Sequence, residues 1–170
     1  MDAEQIVREY FAGEKAEAFW ILATGCVSLA AALVLWTWGR EPFARGLAVG
    51  LLLVAGLGTT VGSTVYFRSD AQSQQLIELR RADPARFAAE EGPRIRQVVA
   101  SFGYYRLGYA IAVLAALALV FLVGGAFPHG LAVGLLVLAA TGLTVDFYAE
   151  RRALTYVTAL AAEGALPPHR

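Results

Sequence analysis

The chain has 170 residues, and 58% of them are hydrophobic before its 17 glycines are counted. Soluble domains hold about 45–50% apolar residues with glycine included, and about 25% charged ones. Here 16% are charged and the formal net charge is zero, which excludes a disordered chain and leaves no basic field to hold nucleic acid.

The apolar excess points to an integral membrane protein. Four runs approach the roughly 20 residues that a helix needs to cross a bilayer: Phe19 to Trp38, Gly46 to Phe67, Leu107 to Phe127 and Gly130 to Phe147. Asp146, near the end of the fourth, is the one charged residue inside them. In hydrocarbon every backbone group must be paired within the protein, so these runs are predicted to be helices. The fold class is therefore all-α, a single four-helix membrane domain over residues 1–170.

Before the first run, the opening 17 residues are rich in Asp and Glu, whereas the start of a signal peptide is basic. Runs one and two are joined by residues 39–45, and runs three and four by little more than Pro128-His129. Residues 68–106 form a longer connector that carries much of the charge. Residues 71–82 contain good helix formers and no breaker, so the second helix is expected to continue out of the membrane. Asp83-Pro84 then reads as a stop and restart, with Asp as N-cap and Pro at the first helical position. A short helix over 84–91 is expected to end at Gly92-Pro93, where a long third helix begins. Residues 148–170 form a final helix and tail.

Of the 14 Arg and Lys residues, only Arg40 and Arg45 lie on the first-hairpin side. The positive-inside rule places both termini and the connector in the cytoplasm. Aromatic residues gather near the expected boundaries: Tyr66, Phe67, Tyr104, Tyr105, Phe147 and Tyr148 inside, Trp36, Trp38 and Phe43 outside. Phe102 and Tyr109 extend the inner belt. Arginine in place of lysine, with abundant alanine and glycine, points to a bacterial source and so to the inner membrane.

The heptamer at residues 46–52 recurs unchanged at 130–136, and Phe43 matches Phe127 at the same offset. This pattern predicts two tandem helical hairpins related by a pseudo-two-fold axis along the membrane normal. The repeated glycines, Gly46, Gly50, Gly130 and Gly134, with Gly58 and Gly62, form faces on which helix backbones can approach closely. Packing within the bundle and a homodimer seam are both compatible with that spacing.

Charges near the inner boundary form the candidate site. Glu14 and Glu17 share a face of the first helix, and Asp146 and Glu150 share a face of the fourth. Arg68, Asp70, Arg106 and Arg151 lie at about the same level, with Tyr105 beside them. They read either as a salt-bridge belt that fixes helix register or as a polar pocket for an ion, a headgroup or a small polar ligand. A carboxylate-bridged metal centre lacks the Glu-x-x-His such bundles use, and Cys26 and the two histidines, His129 and His169, offer no ligand set. No nucleophile-elbow, P-loop or zinc-protease motif is present, so no cofactor and no catalytic residue are expected.

The function expected is therefore non-enzymatic: a membrane protein that acts by protein interaction, as an accessory subunit, an anchor or an immunity-type protein. A small homodimeric transporter or channel and a lipid-headgroup-binding protein are the alternatives. Expected partners are membrane lipids and a protein, or a second copy of the chain.

Overall fold

A computed structural model describes residues 2–166. Among them are four long helices: α1 (Ala3–Trp38), α2 (Pro42–Ala82), α3 (Pro84–Ala118) and α4 (Ala126–Ala162). Each contains an 18-residue stretch long and apolar enough to cross a membrane. α1 lies along α2, α2 and α4 meet at the centre, and α3 packs mainly on α4. In the most apolar stretch of Pro84–Val123, which is α3 and the turn that continues it, only 6% of residues are buried, against 22–28% in the other three helices. α3 is therefore the peripheral helix of the bundle.

The expected punctuation at Asp83 is present. Asp83 accepts a hydrogen bond from the Arg86 N–H at 2.9 Å, and Pro84 opens α3. The expected break at Gly92-Pro93 is absent, because Pro93 lies inside a continuous α3. Proline removes one helical hydrogen bond, to the carbonyl four residues back. Here that carbonyl belongs to Ala89, and both Ala89 and Pro93 are exposed, so the break falls on a face open to solvent.

The second turn also differs from expectation. Pro128 and His129 lie in the first turn of α4, where a missing N–H costs nothing. α3 instead ends in a π-helical turn, Leu119–Val123, closed by Gly124 N–H donating to the Leu119 carbonyl at 3.2 Å. The chain reverses at Gly124 and Gly125, with φ of 67° and 91°. Glycine alone adopts that backbone without a Cβ clash.

Two kinds of packing coexist along the bundle. In the apolar halves the buried residues are small: Gly25, Ala32, Ala48, Gly50, Ala132 and Gly134. Large side chains there point outward, among them Leu33, Leu57, Leu114, Phe121 and Leu122. Beyond the apolar stretches the four helices close over a core of large side chains, including Ile6, Phe11, Leu76, Phe87, Ile95 and Leu160. The first pattern suits close approach of helices where lipid covers the rest. The second is an ordinary core that excludes water.

Candidate functional site

At the junction between the two kinds of packing, most charged side chains are paired across helices. Glu14 on α1 accepts a hydrogen bond from Ser69 Oγ at 2.8 Å, with Arg68 of α2 at 3.5 Å. Lys15 pairs with Asp70, and Glu17 with Arg152 of α4. Arg106 on α3 donates to Glu150 on α4 at 2.6 Å. The bond to Asp70 holds the Lys15 ammonium above the ordinary lysine range.

Arg151 does not join this set. It is exposed and stacks on Phe147, its guanidinium 5.3 Å from the ring centroid. The inward-facing member of the pair is Arg152, one residue on. The helical step of about 100° turns adjacent side chains to different faces, so the sequence placed arginine at the right level but not on the right face. Phe102 and Tyr109 also leave the expected aromatic belt. Phe102 is buried, and the Tyr109 ring lies against Gly142, where an added Cβ would come within 2.3 Å of Cε1. Tyr104 stays exposed, as a belt residue does.

Glu14, Glu17, Tyr105, Asp146 and Arg152 line one cavity of about 200 Å³ between the four helices. A second cavity of about 120 Å³ lies among the apolar stretches, bordered by Thr24, Tyr109 and Thr141. Ile21, Val61, Val145 and Asp146 line both. Asp146 thus stands where the cavities meet. Its Oδ2 is buried and without a partner, as is Nε of Arg152. Arg68, Asp70, Arg106 and Glu150 lie outside the first cavity's lining. Among the described residues no three His, Cys, Asp or Glu side chains converge as a metal site would need. His169 lies outside the described residues.

A buried polar cluster that the sequence reading did not single out sits deeper in the emergent core. Glu91 has no exposed surface. Arg94 donates to both its oxygens at 2.6 Å, and Tyr156 Oη donates to Oε1 at 2.9 Å. Tyr156 stacks on Tyr10 at 4.3 Å between ring centroids. Burial pushes the Tyr10 phenol up to about 12 and raises that of Tyr156 as well. A signal for this cluster was available, because Glu91 falls on the apolar stripe Phe87, Ile95, Phe102 of α3. A carboxylate on such a stripe must find partners inside.

The repeated glycines all face other helices of the same chain. A Cβ on Gly46 would meet the Phe127 carbonyl oxygen at 2.0 Å, and one on Gly130 the Phe43 oxygen at the same distance. Gly50 and Gly134 face each other, with a Cβ on either within 2.6 Å of the other's Cα. These α2–α4 contacts are reciprocal: each becomes the other under the offset that relates the two heptamers. Gly58 and Gly62 instead face α1 at Gly25 and Leu22. With both faces occupied inside the bundle, none of these glycines is free to form a homodimer seam.

Compared with protein-family models, curated proteins and solved structures, the chain matches none.

Proposed function

We propose that this chain is a multi-pass protein of a bacterial inner membrane that acts by protein interaction, presenting a helical platform to the cytoplasm. The observation that carries this reading is the asymmetry of the bundle. The helices run past their apolar stretches on one side only and there build a core of their own. On the other side only the short turns at residues 39–41 and 124–125 remain. Nearly all chain that can meet a partner in water lies in the one block.

The inside-out burial of the apolar halves supports lipid as their surroundings. The arginine distribution supports a cytoplasmic block and cytoplasmic termini. The reciprocal glycine contacts support descent from a duplicated helical hairpin. The cross-helix ion pairs and the Glu91 cluster pin the four emergent ends together, so a partner would meet a preformed surface.

Photo-crosslinking in native membranes tests the proposal. A photoreactive residue at exposed Gln75 or Arg96 is expected to yield the same discrete adduct from both sites. The same residue at lipid-facing Leu57 or Leu114 is expected to yield none. A protein that stays monomeric and uncrosslinked at both platform sites contradicts the reading.

A further inference from the structure

We propose that the cavity at the junction of the four helices binds a primary ammonium group, with Asp146 as its counter-ion. The pairing of the charges at this level is uneven. Five carboxylates lie here: Glu14 and Glu17 on α1, Asp70 on α2, and Asp146 and Glu150 on α4. Four cations are each engaged with one, Arg68 with Glu14, Lys15 with Asp70, Arg152 with Glu17 and Arg106 with Glu150, while Arg151 stays exposed on Phe147. Asp146 is left without a cation: the Tyr109 phenol stands beside it, and its buried Oδ2 has no partner. An unpaired carboxylate oxygen out of water calls for a donor that carries positive charge.

The cavity's shape narrows the class of ligand. About 200 Å³ exceeds what a bare ion needs, since a water molecule's share of liquid volume is about 30 Å³. Ala18, Ile21, Val65, Val98 and Phe102 supply the apolar part of its wall. The Arg152 guanidinium, which also lines the cavity, carries N–H groups beyond the one engaged with Glu17 that can meet an acceptor beside the ammonium. An ammonium on a short apolar or oxygen-bearing body satisfies all three features. Two sources carry that chemistry: a free amine or aminoalcohol, and the ethanolamine headgroup of a phospholipid, whose phosphate would accept from Arg152.

The test uses the whole delipidated protein in detergent and follows thermal unfolding. n-Hexylammonium chloride is expected to raise Tm by roughly 5–10 °C at a hundredfold excess over its Kd. The neutral isostere 1-hexanol is expected to give no saturable rise, and Asp146→Asn is expected to lose the ammonium response. In nanodiscs of phosphatidylcholine, whose quaternary nitrogen cannot donate, the response to hexylammonium should persist. Its loss in phosphatidylethanolamine nanodiscs assigns the site to the headgroup, and its persistence there assigns it to a free amine. No response in detergent, an equal response to hexanol, or an unchanged response in Asp146→Asn overturns the proposal. The comparison of hexylammonium with hexanol uses the unaltered chain, so the result holds even if the variant folds poorly.

Discussion

A carboxylate with no exposed surface is stable only if its charge is met where it sits. Glu91 meets that demand through a bidentate bond with Arg94 and a phenol from Tyr156. Removing Arg94 leaves the charge buried and unpaired, which costs about 3–5 kcal/mol. Tyr156→Phe removes one hydrogen bond to a charged group and costs about 1.5–3 kcal/mol. Denaturant titration followed by hydrogen exchange in the emergent core is expected to rank Arg94→Ala above Tyr156→Phe. Equal and negligible effects would contradict a linked cluster. The tyrosines also give the core an alkaline limit. The Tyr10 pKa is raised in the folded state, so the unfolded chain ionises first as pH rises. Its contribution is complete below pH 10 and is lost progressively up to about pH 12. Tyr10→Phe is expected to flatten that loss in a pH series of melting curves. Glu4 works in the opposite sense, because the hydrogen bond from Arg81 holds its carboxyl pKa below the ordinary glutamate value. Its contribution is present above that value and fades as pH falls through the folded pKa.

At the scale of the element, glycine decides how closely α2 and α4 can approach. A Cβ at Gly50 or Gly134 falls well inside contact distance of the opposite backbone, so neither helix can yield by a side-chain rotation. Gly134→Ala is expected to destabilise the bundle by about 1–3 kcal/mol through overpacking. Gly56, also within α2, has nothing within 4 Å of a built Cβ. Gly56→Ala is therefore expected to be neutral, or to stabilise by up to about 1 kcal/mol through helix propensity. Thermal unfolding of the two variants in the same detergent checks the contrast. Similar losses at both positions would show that propensity, not contact, governs α2.

These elements also show what a sequence can carry. The helices were legible because apolar length and Asp83-Pro84 are local signals. Pro93 misled because the cost of proline depends on whether its orphaned carbonyl faces water, which only the fold decides. The turn at Gly124-Gly125 was overlooked in favour of Pro128, since proline punctuates a helix start as well as a loop. Among the site residues, the level of each charge along its helix was readable. Its face was not always so: Arg151 and Arg152 differ by one helical step, and that step separates an exposed cation from a cavity-lining one.

For the molecule as a whole, the division into two kinds of packing carries the account. Small residues pack the apolar halves, large ones pack the emergent block, and the ion pairs lie between. Such a division makes sense if the first half lies in lipid and the second in the cytoplasm. Cysteine accessibility in intact cells measures this most directly. In a Cys26→Ser background, single cysteines at Glu41 and Gln75 would be exposed to a membrane-impermeant maleimide. Both positions are solvent-accessible in the fold. The account predicts labelling at residue 41 in intact cells and at residue 75 only after the inner membrane is opened. Labelling of residue 75 in intact cells, with residue 41 protected, would contradict it.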